Sequence, residues 1–578
     1  MTSNKTIQGN LVNITDRKIF PGTVTICNGK IINIEEDKSL QDDSLPFILP
    51  GFIDSHIHIE STLMVPENYA RLAVANGVTG AVCDPHEIAN VLGVKGINYM
   101  IENSRRARFN FYYTAPSCVP STPFETAGAA VNADEIKGLM ARKEIVGLGE
   151  MMNVPGVVYK DAEVLAKIKA TLDAGKPVDG HAPKVTGEML QKYVEAGIST
   201  DHECSAIEEA KEKIALGVKV IIREGSAACD FDSLYPLIKE YPGMTMFCSD
   251  DMYPDDASTI GYINGMVHRA IETGTPLWET LECACVTPIK HYGLDCGMLK
   301  EGDQADFIVV KDLKDFKILA TYVKGEEVYN TENGNVPGTP GNESALRTEF
   351  QVLKDETPHH LAINQFNAKE IDTSCLKVKQ QDGMLKVITA KEGSLLTGVE
   401  LVKPSVDAEG NVCADPSKDI AKIVVYNRYK EATPQVAFIK GFGLKCGAIG
   451  STIAHDCHNI VAVGCCDKAI AEAINRLVRE KGGIAVCAPS IASPETDTQS
   501  WTTECLPLPV AGLMGTMAPD ETAHMHMKIK KIAAELGCRF NAPFMTMAFM
   551  ALPVIPELKL TDKGLFDGNA FCFTSLWE

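Results

Sequence analysis

Basic residues are the scarce side chains of this 578-residue chain: 55 lysines and arginines stand against 76 aspartates and glutamates, a formal charge of −21. A surface so anionic is repelled by phosphate backbones and acidic headgroups, which excludes nucleic acid and an anionic membrane as principal partners. Long apolar runs are missing as well, and none approaches the roughly 20 residues needed to cross a bilayer. The opening segment MTSNKTIQGNLVNITDRKIF has no apolar core of signal-peptide length, so a cytoplasmic protein is expected. Internal repeats and low-complexity tracts are absent.

Several catalytic signatures are missing too. His58-Ile59-Glu60 supplies an HxE, but no PCxxC follows it anywhere, which removes the cytidine-deaminase type of zinc site. HExxH fails twice, because His86-Glu87 is followed by Asn90 and His202-Glu203 by Ala206. The glycines from Gly441 through Gly443 to Gly447 miss the dinucleotide-binding spacing, so a Rossmann reading fails there. Cysteine is plentiful, yet nineteen is an odd number without framework spacing, and free thiols in a reducing compartment are expected. The pairs Cys465-Cys466 and Cys283/Cys285 are local candidates for metal.

What is present is a soluble, core-forming composition, 45% hydrophobic and 23% charged, long enough for several domains. Short strands are predicted before residue 50. From 51 to about 250, strand-like runs alternate with helical ones: FIDSHIHI, TGAVCDPHE, FNFYYTAP, IVGLGEM, PVDGHA, ISTDHE, VKVIIREG and MTMFCSDD, with helices over 67–76, 90–107, 134–142, 161–174, 186–196 and 206–216. Eight such units predict an α/β fold, a (β/α)8 TIM-like barrel over 51–290, with a doubly wound open sheet as the alternative. Strand patterns return at 291–335 and mirror those of 1–50, so both are read as halves of one small β-domain into which the barrel is inserted. Residues 330–346, rich in Gly, Pro and Asn, read as a linker. Residues 345–578 read as a C-terminal mixed α/β domain with a clear amphipathic helix at 467–481.

The strand candidates end in ionisable residues: His56 and His58, Asp84-His86-Glu87, Glu150, His181, Asp201-His202-Glu203, Arg223-Glu224, Asp250-Asp251. Residues two apart on a strand share a face, so His56 and His58 form a ready ligand pair. In a barrel all these ends meet at one mouth. A first metal is then held by His56, His58 and Asp250, a second by His181 and His202, with Glu150 as a two-oxygen bridge. Such donors suit Zn, Fe, Mn or Co. Two cations make a strong nucleophile by lowering the pKa of a shared water. Asp250 can also take a proton from that water. His524 and His526 lie two apart in a helical pattern, a poor chelate; His268 and His291 read as structural.

The segment PGFIDSHIHIEST, the later single histidines and the strand-eight aspartate resemble the amidohydrolase superfamily. DPHEIAN (84–90), GEMMN (149–153), DGHAP (179–183), DHE (201–203), FCSDD (247–251) and AHDCHN (454–459) resemble, in this order and over nearly the whole chain, the adenine deaminases. The resemblance implies hydrolytic deamination of adenine to hypoxanthine and ammonia on two divalent metal ions, Mn2+ or Fe2+ rather than Zn2+. It also implies a homo-oligomer, a dimer or larger. Relatives with a carboxylated lysine after strand four differ from this chain, where Glu150 stands and no lysine follows until Lys160. Asp250 is the expected proton shuttle, with Asp251 its rival, and His86, Glu87 and Glu203 are the candidates for protonating the ring. For AHDCHN, domain packing is the default, with metal binding by His455 and His458 or bracing of the mouth by Asp456 left open. A different cyclic amidine or amide substrate, or a non-catalytic scaffold, are the other readings.

Overall fold

The computed structural model describes residues 4–40, 44–259, 261–331, 363–490 and 500–578. Five parallel strands form one sheet in chain order: Phe52–Ile57, Val78–Cys83, Asn110–Ala115, Ile145–Met151 and Val178–Gly180. Three more, Thr200–Asp201, Lys219–Arg223 and Thr245–Cys248, form a second parallel sheet. Parallel bridges Val178–Ile198 and Ile57–Asp250 join the two sheets at both edges, so the eight strands close into the expected barrel rather than an open sheet. Phe52–Ile57 and Val78–Cys83 are buried at every position, as strands covered on both faces must be.

The seam between first and eighth strands is stapled by a side chain. Asp54, fully buried, accepts hydrogen bonds from the Ser249 backbone N–H at 3.1 Å, from the Ser249 hydroxyl at 2.5 Å and from the Tyr262 hydroxyl. Burial pushes its carboxyl up to about 6 even against these donors.

Strands five and six are shorter than their sequence candidates, and the cause is local. Asp179 accepts from the Thr200 hydroxyl at 2.7 Å, while Asp201 accepts from the backbone N–H groups of Ala182 (2.8 Å) and Glu203 (2.9 Å). The Asp201 carboxyl thus satisfies N–H groups that would otherwise continue a ladder. The helix expected over 90–107 is two helices, His86–Leu92 and Val94–Ser104, broken at Gly93, whose φ of 61° favours glycine.

Strands on either side of the barrel in sequence share one seven-stranded sheet. In spatial order it runs Glu326–Asn330, Ile318–Val323, Phe307–Val310, Phe47–Pro50, Lys5–Asn13, Lys18–Cys27 and Lys30–Glu36. The linker stretch lies, from 332 onward, outside the described residues. Beyond it, an eight-stranded sheet is built on Ile420–Tyr426, buried along its whole length, and on Ile460–Gly464. Helix Asp467–Glu480 packs its apolar face on that sheet. All nineteen cysteines are free, and Cys283 and Cys285 are buried in the core.

The C-terminal domain is docked on the barrel. Gly515 donates to the Leu63 carbonyl (2.8 Å) and accepts from the Val65 N–H (3.2 Å); Asn68 Nδ2 donates to the carbonyls of Thr516 and Met517. Asp255 accepts from His526 Nδ1 at 2.7 Å and from Lys530 Nζ at 2.8 Å, so His526 serves an interdomain contact. Among the described residues no helix is long and apolar enough to cross a membrane.

Candidate metal centre and substrate pocket

The barrel mouth gathers the six predicted ligands. His56 Nε2 and His58 Nε2 face each other at 3.1 Å, and Asp250 Oδ1 lies 3.3 and 3.1 Å from them. Neighbouring ligands on one cation, with bonds of about 2.1 Å, are separated by about 3 Å, so these three atoms are spaced as a ligand set. Asp250 is locked in place by strand pairing: its N–H donates to the His56 carbonyl (3.0 Å) and its carbonyl accepts from His58 (3.2 Å). His58 Nδ1 faces the Asp84 carbonyl at 3.0 Å; an N–H there leaves Nε2 with its lone pair toward the centre.

Glu150 sits between two histidine groups. Its Oε1 is 3.3 Å from His58 Nε2 and 3.2 Å from His86 Nδ1; its Oε2 is 3.1 Å from His202 Nε2 and 2.6 Å from His181 Nδ1. Gly149 makes this placement achievable, because a Cβ there would lie 2.2 Å from Asp84 Oδ2, the acceptor of the Glu150 N–H at 3.1 Å. Groups whose ligand atoms all lie within 4.8 Å include His56-His58-Asp250, His56-Glu150-His202 and His181-His202-Glu203.

The electrostatics suit a cation. Burial opposes ionisation throughout, yet the histidines around Glu150 and Asp250 hold both carboxyls well below the usual range. In return, and against burial, Glu150 raises His202 to about 9. Burial, with His202 stacked at 4.1 Å, pushes His56 down to about 4, which keeps its ring a neutral donor of a lone pair. A site that attracts protons so strongly attracts metal ions in competition with them.

The remaining candidates occupy different places. Glu203 pairs with Arg223, whose Nη1 also reaches Asp250 Oδ2 at 3.0 Å and whose Nη2 reaches Asp230 at 3.0 Å. Asp251 accepts from the Ser61 hydroxyl and lines the pocket beside the ligand set. Glu87 accepts from His455 Nδ1 at 2.7 Å and from His458 Nε2. His86 Nε2 lies 3.3 Å from Glu87 and 3.8 Å from Asp456 Oδ1. Against the opposing effect of burial, Glu87, Asp456 and Asp84 hold His86 well above its ordinary value. His268 instead binds the Lys314 carbonyl at the surface, and His291 is pushed down to about 4 by burial.

Two features went unread in the sequence. Arg223 was visible only as a polar strand end, and nothing local indicates the three carboxyls it holds. Most of the pocket's apolar lining, Leu395, Met545, Phe549, Leu552 and Ile555, comes from the C-terminal domain, beside Met152, Ala227 and Ala228 of the barrel. The one signal that could have located it was AHDCHN, whose His455 stacks on Phe549 at 4.4 Å.

The model of the amidohydrolase family matches residues 47–328, and that of the adenine deaminase C-terminal domain matches residues 394–572. An adenine deaminase of Methanosarcina mazei is 45% identical over 573 residues, covering 99% of each chain. One from Salinibacter ruber is 45% identical over 575 residues, again covering 99% of each. One from Borreliella burgdorferi is 41% identical over 578 residues and 98% of each.

Proposed function

The chain belongs to the adenine deaminases of the amidohydrolase superfamily, and from that premise we propose that it hydrolyses adenine to hypoxanthine and ammonia. The observation that carries the reading is Glu150, whose two oxygens face separate histidine groups as a bridge between two cations requires. His56, His58, Asp250 and Glu150 would hold one divalent ion; Glu150, His181 and His202 would hold the other. We take the ions to be Mn2+ or Fe2+ from the family likeness, with Zn2+ also suited to these donors. Bound there, they supply the Lewis acidity that brings the pKa of water from about 16 toward neutrality.

The chain's own groups do the rest. Arg223 holds Asp250 through Oδ2 and keeps Oδ1 toward the His56-His58 pair, which sets the carboxyl beside the attacking water, whose proton it can take. Asp251, bound to Ser61, is one residue removed from that position. As C6 becomes tetrahedral, a ring nitrogen must gain a proton and the amine must leave as ammonia. Of the three ring-acid candidates, His86 is the one whose surroundings keep it protonated, whereas Glu87 and Glu203 are held below the usual carboxyl range against their burial. Asp250 then returns its proton to the leaving amine, and the proton left on the C6 hydroxyl restores His86 as the carbonyl forms.

Loading the purified protein with Mn2+ and adding adenine should release ammonia and hypoxanthine together. Glu150→Gln should lose most of its metal and nearly all turnover. A variant with full metal and full rate would remove the bridge, and a protein that binds two metals but ignores adenine would act on another cyclic amidine or amide.

A further inference from the structure

The pocket's ionisable lining comes mostly from the barrel and most of its apolar lining, Leu395, Met545, Phe549, Leu552 and Ile555, from the C-terminal domain. That arrangement fits a flat heteroaromatic ring, whose face is apolar and whose edge carries donors and acceptors. One edge group has no partner within the protein. Asp456, from the turn that follows strand Ala448–Ser451, is 3% exposed, and its Oδ2 has no hydrogen-bond partner. Its Oδ1 is 3.8 Å from His86 Nε2, too far for a hydrogen bond.

The other carboxyls of the pocket are engaged: Glu87 by His455 and His458, Glu150 by His181, Glu203 and Asp250 by Arg223, Asp251 by Ser61. Among the described pocket carboxyls, Asp456 alone keeps a buried oxygen unpaired. A buried acceptor left unpaired is costly, and on a residue that lines a pocket a donor on the ligand explains it.

Position identifies the donor. His86 spans the gap between the two carboxyls, its Nδ1 3.2 Å from Glu150 and its Nε2 3.8 Å from Asp456. Asp456 therefore lies one imidazole ring away from the bridging carboxyl. A purine with C6 at the Glu150 cluster places its five-membered ring at that distance. A free 6-aminopurine carries one N–H on that ring, and an N9-substituted purine carries none.

We propose that Asp456, brought to the barrel mouth by the C-terminal domain, accepts the N–H of the purine's five-membered ring and so selects the free base over N9-substituted purines. The inference rests on the adenine reading above and adds a residue and a specificity to it. It also assigns the C-terminal domain a binding role, since most of the apolar lining and the selecting carboxyl belong to it.

The test compares adenine with 9-methyladenine in two readouts, equilibrium binding by calorimetry and ammonia release. One hydrogen bond to a charged acceptor corresponds to about a 10- to 100-fold preference. The wild-type protein should show that preference for adenine in Kd and in kcat/KM. Asp456→Ala should raise Kd for adenine by that factor and bring the two bases within about threefold of each other in Kd and in kcat/KM. Asp456→Asn, isosteric and still an acceptor, should fall between, and it carries the test if the alanine variant does not fold. A wild type that treats the bases alike, or an Asp456→Ala variant that keeps the wild-type ratio with normal metal content, overturns the proposal. Preferential binding of adenine without ammonia release supports it and overturns deamination instead. Equal ammonia release from both bases does the reverse, and a protein that binds neither base overturns both.

Discussion

The contact most open to a quantitative test lies outside the pocket, where Asp255 joins the barrel to the C-terminal helix Pro519–Glu535. Asp255 is 4% exposed and accepts from His526 at 2.7 Å and Lys530 at 2.8 Å. Burial alone would raise its carboxyl, but the hydrogen bond from His526 and the pairing with Lys530 outweigh it and bring it from 3.8 down to about 2. Each unit is worth about 1.4 kcal/mol, so the contact contributes about 2 kcal/mol when Asp255 is ionised. A carboxyl depressed in the folded state contributes fully above its unfolded value, and the contribution drains away as pH falls from about 4 through 2. Asp255→Asn should therefore cost about 2 kcal/mol in urea unfolding at pH 7, and the gap from wild type should shrink to roughly half at pH 3. Lys530 keeps a second partner in Asp256, 3.3 Å away, so the variant leaves it paired. A gap that is absent at pH 7, or equally large at pH 3, would refute the reasoning.

Two further outcomes follow from buried cations. Arg223 forks between Glu203, Asp230 and Asp250, a geometry an ammonium cannot reproduce; Arg223→Lys should keep its metal and lose kcat by about a hundredfold, read from steady-state rates at measured metal content. Lys559 is fully buried and donates to the carbonyls of Leu395 and Phe549, both at 2.9 Å, while burial pushes it down to about 7. Because the unfolded chain then binds more protons than the folded one between pH 7 and about 10, stability should rise with pH across that window. Lys559→Met should lack that rise in thermal melts, and should also loosen the pocket wall enough to raise KM for adenine.

The candidate ligands of the barrel were legible because each one announces itself locally. His56 and His58 show the period of a strand, and Glu150, His181, His202 and Asp250 each close a strand-like run. The fold rule that all parallel strand ends share one mouth turns those separate positions into a cluster. No comparable rule existed for the wall. Phe549 and Asp456 reach the pocket through the docking of a separate sheet, and contact between surfaces hundreds of residues apart leaves no periodicity in either segment. Strand length failed for a related reason: Asp201 reads as part of a continuing strand, but its carboxyl captures the N–H groups of Ala182 and Glu203.

AHDCHN shows where residue chemistry stops being decisive. Its two histidines have the same donor atoms as His56 and His58, and composition alone makes both pairs equally good ligands. An imidazole nitrogen serves a cation through its lone pair and a carboxyl through its N–H, so its partner is chosen by whatever the fold sets opposite. Opposite His56 and His58 are Asp250 and Glu150, carboxyls that also face one another's ligands. Opposite His455 and His458 is Glu87 alone, at the start of helix His86–Leu92, with one oxygen for each ring. A single carboxyl between two N–H donors is already satisfied and leaves no lone pair converging on a centre. The pair that resembles a metal site in sequence thereby ties the C-terminal domain to the barrel through Glu87, on the same turn that carries Asp456.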